Sequence, residues 1–228
     1  MGTLVGISSM ATRLVLAELA AAYREHKGID VEFESVGGVD AAKRVQAGEA
    51  FDVVVLAADA IDKLVAGGSV IAGSRTDLVR SGVAIAVRAD GARPDIATED
   101  ALRRTVLAAR TLGYSTGPSG TALLGLFERW GIADTVRERI VQAPPGVPVG
   151  QLVAAGKVEL GFQQFSEMAN QQGLAVLGTM PPGCEIVTTF SGGICVASPR
   201  AGDARELLAY LQSPAAVAAK RRHGMEPA

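Results

Sequence analysis

Short apolar runs of strand length alternate along this chain with longer stretches in which apolar residues recur every third or fourth position. The first pattern predicts buried strands and the second predicts amphipathic helices. Residues 3–7 read as a buried strand, and Ser8-Ser9 stands before an amphipathic stretch from Met10 to His26 that Gly28 ends. Serine in front of an apolar-periodic run is an N-cap signal. Residues 30–36 alternate as a second strand, Gly37-Gly38 break it, and a helix capped by Asp40 is predicted to run to Ala47. A third strand over Asp52–Leu56 leads to a short helix at Ala60–Ala66. Further strands are predicted at 82–88, 112–114 and 159–163, with an extended segment at 186–197. Further helices are predicted from Thr98 to Arg110, from the Ser115–Thr121 turn to Trp130, just before Gly156, and over the tail 203–222, where Ser213-Pro214 restarts a last helix. Strand–helix alternation with short loops is the signature of a mostly parallel sheet faced by helices.

Two stretches echo each other within this pattern. Val45-Gln46-Ala47-Gly48-Glu49-Ala50-Phe51-Asp52-Val53 and Val153-Ala154-Ala155-Gly156-Lys157-Val158-Glu159-Leu160-Gly161 each read as a helix end, an Ala-Gly stop, a polar turn and an apolar strand. Glycine just past a helix permits the left-handed conformation that closes the last turn. The same unit met twice predicts two similar α/β lobes, and a cleft between lobes is where a small ligand is expected.

Composition narrows the function classes. The 228 residues suffice for one large domain or two small ones, and 48% hydrophobic with only 4% aromatic residues suits tight helix-on-sheet packing. Twenty-two Lys and Arg against 24 Asp and Glu leave a formal charge of -2 without a basic run, so nucleic acid is not an expected partner. The apolar runs are too short or too interrupted to span a membrane, so no membrane insertion is expected. Cys184 and Cys195 fit one disulfide or two thiols equally, and with His26 and His223 in polar helix-end contexts no metal site is expected. No dinucleotide or Walker fingerprint is present, so no cofactor is expected. Met1-Gly2-Thr3 leads straight into a strand without the features of a leader peptide. The expected location is periplasmic if a leader was removed ahead of this sequence, and cytoplasmic otherwise.

Four segments carry candidate chemistry. Ser8 and Ser9 offer hydroxyls beside a helix start, where backbone N–H groups suit an anion, although a plain N-cap reads the same. Gly37, Gly38 and Val39 form a Gly-rich turn into a helix, with Lys43 and Arg44 a turn further, more in keeping with solvated surface than with a site. Ser119, Gly120 and Thr121, in the stretch Ser115–Thr121, let a backbone approach a ligand at another helix start, or form an ordinary turn. Gln163 and Gln164 place two neutral amides at a strand's carboxyl end, and strand alternation turns one of them toward the cleft. No nucleophile–base pair is present; Glu167, Asp40 and Lys43 are the candidates for a lone base. Hydroxyls, amides and N–H groups at helix starts describe an anion-binding site better than a hydrolytic one.

The order of these motifs resembles the type II periplasmic solute-binding proteins, specifically the molybdate-binding-protein-like branch. The resemblance rests on strand-Ser8-Ser9-helix, Phe33 to Gly37-Gly38, Ala47-Gly48-Glu49-Ala50-Phe51-Asp52-Val53, Ser119-Gly120-Thr121 and Leu160-Gly161-Phe162-Gln163-Gln164, and extends to the closing Ser213-Pro214-Ala215-Ala216 helix. It implies an α/β, two-lobed type II periplasmic-binding-protein fold, each lobe a mixed, mostly parallel sheet flanked by helices. It places lobe one at 1–84 plus 190–228 and lobe two at 85–189, with extended crossovers at 83–88 and 188–196. It implies ligand contacts at Ser9, at Gly38 or Val39, at Ser119, near Pro148 and at Gln164. Here the resemblance meets departures: Gly-Gly-Val replaces the second site Ser, Pro148 has no N–H, and Gln164 stands where the oxyanion-binding members carry Tyr.

These departures point away from molybdate and toward a larger organic anion, a carboxylate, held by a hinged two-lobe binding protein. The expected partners are that small-molecule anion and, in a transport role, a membrane permease of an ABC transporter. The alternative is a cofactor-free isomerase on the same fold, similar to aconitate isomerase, in which one tuned base moves a proton. A cytoplasmic ligand sensor is a third, weaker reading.

Overall fold

The computed structural model describes residues 2–144 and 146–228; Met1 and Pro145, the latter in the stretch Pro-Pro-Gly-Val-Pro at 144–148 whose composition reads as a loop, lie outside the described residues. The chain divides into two compact units, Met1–Ser81 with Thr188–Ala228, and Gly82–Val187. Each is a three-layer α/β assembly.

Unit 1 opens with β1 (Leu4–Ser9), a 3-10 turn at Met10–Thr12, and α1 (Arg13–Lys27). Next come β2 (Val31–Val36), α2 (Gly38–Gln46), β3 (Val53–Ala57) and α3 (Ala58–Ala66). Strands β2 and β3 flank β1, both parallel to it. Strand β4 (Thr76–Arg88) then carries the chain into unit 2. Both faces of the unit 1 sheet are buried, so β3 is apolar throughout, as a strand covered on both sides requires. On one face Leu4, Val15, Leu16, Leu19 and Tyr23 cluster with Leu207, Leu208 and Leu211. On the other, Ile7, Val54 and Leu56 pack with Ala41, Val45, Ile61 and Leu64 of α2 and α3.

Unit 2 contains α4 (Glu99–Ala108), β5 (Leu112–Tyr114), α5 (Pro118–Arg129), α6 (Ala133–Val136) and β6 (Ile140–Gln142). It continues with α7 (Val149–Ala154), β7 (Leu160–Gln164), α8 (Phe165–Met168) and β8 (Leu174–Thr179). Strand β5 lies between β6 and β7 and is parallel to both, while the second half of β4 runs antiparallel to β7 and β8. Leu160 and Phe162 of β7 face α4 and α5, and Gly161 faces α7, where a β-carbon would fall 2.5 Å from Val153. The chain returns to unit 1 through β9 (Val187–Ile194), which pairs antiparallel with β3, and ends with α9 (Ala201–Gln212), α10 (Val217–Arg222) and β10 (Glu226–Pro227).

The two echoing stretches form the same turn. Ala47 N–H donates to Lys43 O, Gly48 N–H to Val45 O and Glu49 N–H to Arg44 O; Ala155, Gly156 and Lys157 repeat the set onto Gln151, Val153 and Leu152. Gly48 and Gly156 sit at φ 78° and 70°, so the glycine in each copy supplies the left-handed residue.

Several expectations need correction. β1 runs two residues further than 3–7, through Ser9, and the helix begins at Arg13 after a 3-10 turn. Neither Ser9 nor Thr12 makes a side-chain cap bond, because the extended strand carries both serines in register with Ser35 and Val36 of β2. Asp40 does not cap α2: that helix starts at Gly38, and Asp40 is its third residue. β4 begins at Thr76, six residues before the predicted strand, and the short elements β6, β8 and α6 have no counterpart in the hydrophobic pattern.

Candidate functional site

In unit 1 the carboxyl ends of β1, β2 and β3 lie side by side, and α2 and α3 start there. Adjacent strand residues point to opposite faces, so Ser8 and Ser9 part company. Ser8 is fully buried, and its Oγ lies 2.8 Å from Ser35 Oγ, which commits that hydroxyl to the β1–β2 seam. Ser9 turns to the α2 face. It is 8% exposed, and among the described residues its Oγ has no hydrogen-bond partner. A buried hydroxyl without a partner forfeits about 1–3 kcal/mol, which a bound acceptor restores.

The amino end of α2 stands over Ser9. A β-carbon on Gly38 would lie 3.8 Å from Ser9 Cβ, so backbone and hydroxyl meet with nothing bulky between them. The first-turn N–H groups at Gly38, Val39 and Asp40 precede the first intrahelical bond, which Ala41 N–H makes to Gly37 O. Val39 is half-exposed at this rim. Arg44 belongs elsewhere: its guanidinium holds Glu34 at 2.6 Å and Glu49 at 2.6 Å and lies over the Phe51 ring. Lys43 is exposed on the helix surface.

In unit 2 the corresponding edge is formed by the ends of β5 and β7, with Tyr114 beside Phe162. Beyond Tyr114, Gly117 turns at φ 113° and Pro118 opens α5, so the next N–H groups, at Ser119 and Gly120, begin the helix without carbonyl partners inside it. Ser119 is buried with its Oγ 3.4 Å from Ser115 Oγ, and Thr121 Oγ1 donates to Gly117 O at 3.3 Å. Ser115, not itself among the predicted contacts, is thus the partner that orients Ser119.

The two glutamines separate as strand alternation requires. Gln163 faces α7: its Oε1 accepts from Gly150 N–H at 3.3 Å and its Nε2 donates to Glu167 Oε1 at 2.8 Å. Gln164 shares the opposite face with Phe162 and α5, and ends β7 as the residue preceding α8. Pro148 is the residue before α7, and Gly150 supplies an N–H there, but Gln163 uses it. Burial pushes the Glu167 carboxyl up to about 7, with the Gln163 amide pulling the other way.

Among the described residues, no Lys or Arg side chain is hydrogen-bonded to Ser9, Ser119 or Thr121. The structure therefore groups Ser9 with Gly37, Gly38 and Val39 in unit 1, and Ser119, Gly120, Thr121 and Gln164 in unit 2; it withdraws Ser8 and Gln163 into internal bonds. Among the described residues no cluster of three His, Cys, Asp or Glu is placed to hold a metal, and no helix is long and apolar enough to cross a membrane. Cys184 and Cys195 are buried free thiols, pushed by burial to about 11 and about 12, far from a reactive thiolate.

Comparison with known proteins bears on this arrangement. The fold matches the periplasmic molybdate-binding protein of Azotobacter vinelandii with a TM-score of 0.80 at 19% identity, covering 97% of this chain and 98% of that one. It matches the sulfate-binding protein of Mycobacterium tuberculosis with a TM-score of 0.80 at 16% identity, covering 100% and 87%. In sequence, the chain is 35% identical over 231 residues to an aconitate isomerase from a Pseudomonas species, covering 99% of this chain and 88% of that protein. The bacterial extracellular solute-binding protein family matches residues 4–226, and the chain belongs to that family.

Proposed function

We propose that this protein binds a small organic anion carrying more than one carboxylate. The observation that carries the reading is the buried, unpartnered Ser9 hydroxyl beside the open amino end of α2. This edge, like that of α5 in unit 2, offers hydroxyl and N–H donors, a set from which a carboxylate accepts at helix starts. Gln164, a planar amide, matches a carboxylate better than a bare tetrahedral oxyanion. Binding of this kind fits a periplasmic receptor that delivers its ligand to a membrane permease.

A second reading, isomerisation of an unsaturated tricarboxylate, is favoured by two observations. One is the full-length similarity to an aconitate isomerase. The other is Glu167, a carboxyl raised to about 7 and so suited to exchanging a proton at neutral pH.

The test is a thermal-shift and calorimetric comparison of citrate, cis- and trans-aconitate and malate against molybdate and sulfate. The reading expects a tricarboxylate to raise Tm by several degrees. A response to molybdate or sulfate alone overturns it. Ultraviolet monitoring of trans-aconitate with concentrated protein separates the two readings: interconversion establishes the enzyme, and tight binding without conversion establishes the receptor.

A further inference from the structure

Glu167 is held in an unusual way for a surface-edge carboxylate. It stands three residues past Gln164, in α8, at the carboxyl edge of the unit 2 sheet. It keeps some access to solvent, but its carboxyl is packed around on almost all sides. Its Oε1 accepts from Gln163 Nε2 at 2.8 Å. The orientation of that amide is fixed, because Gln163 Oε1 takes the Gly150 N–H at the start of α7. Among the described residues, Glu167 Oε2 has no hydrogen-bond partner.

Among the described residues, no charged side chain pairs with Glu167. The elements packed here are β7 (Leu-Gly-Phe-Gln-Gln), α7 (Val-Gly-Gln-Leu-Val-Ala), α8 (Phe-Ser-Glu-Met) and β8 (Leu-Ala-Val-Leu-Gly-Thr). Glu167 is their one ionisable side chain. The flanking Glu159 is turned outward and bonded to Arg110, and Arg88 of β4 is paired with Asp90. A carboxylate at this edge therefore has a neutral amide for company, and a second negative charge arriving nearby meets an unscreened like charge.

We propose that Glu167 makes ligand binding proton-linked: an organic anion is bound at the unit 2 edge with Glu167 protonated, the proton coming from solvent. The inference rests on the organic-anion reading given above. A protonated Glu167 removes the repulsion and leaves Oε2 able to donate a hydrogen bond. Burial has already brought this group to the middle of the physiological range, with a midpoint of about 7. Only the protonated fraction is then competent, so apparent affinity falls as that fraction falls, about tenfold between pH 6 and pH 8.

The experiment is calorimetric titration of the full chain with trans-aconitate and citrate at pH 6, 7 and 8, each in two buffers of different ionisation enthalpy. The wild type is expected to take up about half a proton per ligand at pH 7, and to lose about tenfold in affinity from pH 6 to pH 8. E167Q, a neutral isostere, is expected to take up none and to hold a flat profile, binding more tightly than the wild type at pH 8. Equal proton uptake in the two proteins, or none in the wild type, overturns the proposal. A ¹³C titration of the glutamate carboxyls in the free protein locates any failure. A midpoint near 7 that vanishes in E167Q, with no probe bound, places the failure in the organic-anion reading and takes the proposal with it. A midpoint below 5 with a probe bound overturns the role of Glu167 alone.

Discussion

Helix α5 holds two glycines whose replacement by alanine is expected to act in opposite directions. Gly120 lies in the first turn, where the helix leaves the end of β5. A β-carbon there would stand 2.1 Å from the Ser115 carbonyl oxygen and 2.7 Å from the Tyr114 ring, the first about 1 Å inside the 3.0 Å that β-carbons keep. The obstacle is backbone, so it cannot rotate away, and the start of α5 must slide off the strand. Forced overpacking costs about 1–3 kcal/mol, and the helix-propensity gain of about 1 kcal/mol offsets only part of it. A 2.1 Å approach to backbone puts Gly120→Ala at the upper end of that cost, about 3 kcal/mol, and the expected net loss is then about 2 kcal/mol. Gly125 sits one and a half turns on, with no heavy atom within 4 Å of where its β-carbon would be. Gly125→Ala therefore gains about 1 kcal/mol from propensity alone. The chain's single tryptophan, Trp130, closes this same helix, so urea unfolding followed by its fluorescence reports on unit 2 directly. G120A is also expected to weaken tricarboxylate binding, since the displaced turn carries the Ser119 and Gly120 N–H groups; G125A is not. The reasoning is refuted if G120A matches the wild type in stability, or if the two variants move the urea midpoint in the same direction.

Other predictions follow from single residues. Ser9→Ala removes a hydroxyl without a partner, so Tm should hold within a degree or two while tricarboxylate affinity drops about tenfold, the value of one hydrogen bond to a charged ligand. Asp52 accepts from Val5 N–H at 2.9 Å and from Ser198 Oγ at 2.6 Å; Asp52→Ala removes both bonds and should cost about 1–2 kcal/mol in urea unfolding, with Asp52→Asn intermediate. Glu167 is protonated more readily in the folded protein than in the unfolded chain, so its contribution is fully present below about pH 4.5 and is lost as pH rises through about 7. E167Q should therefore gain about 1–3 kcal/mol on the wild type at pH 8 and nothing at pH 4. Lys220 is buried with its Nζ 2.8 Å from Leu78 O, and burial pulls its pKa down. Its cost to stability is present at neutral pH and is relieved as pH rises toward the unfolded value, so the Tm advantage of Lys220→Met should shrink between pH 7 and pH 10.

Parts of this structure were legible in the sequence because one physical cause dominated. Gly48 and Gly156 fall at positions where the chain needs a left-handed residue, and the surrounding periodicity named both helices and both strands. Strand alternation required Gln163 and Gln164 to diverge, but the side chain each would meet depends on α7 and α5, which are distant in sequence. Ser8-Ser9 misled for a similar reason: paired serines before a helical pattern read as a cap, whereas pairing with β2 extends the strand through both. β6 and β8 are short and carry no alternation of their own, being held by neighbours rather than by pattern. Glu167 was one of three equal candidates for a base, because its character comes from the absence of charge on four elements around it, a property no local motif records.

The route of the chain bears on how the protein is made. Unit 2 is uninterrupted, so every strand and helix it needs has been synthesised by Val187. Unit 1 is not: Phe190 and Ile194 of β9, with Leu207, Leu208 and Leu211 of α9, complete one face of its sheet. Its first half must therefore wait on the ribosome with that face covered only by α1 while the whole of unit 2 is translated. Vectorial synthesis makes the inserted unit the first able to mature, and leaves the part of the β1–β3 layer and α1 that β9 and α9 later cover as the surface a nascent-chain chaperone would need to shield.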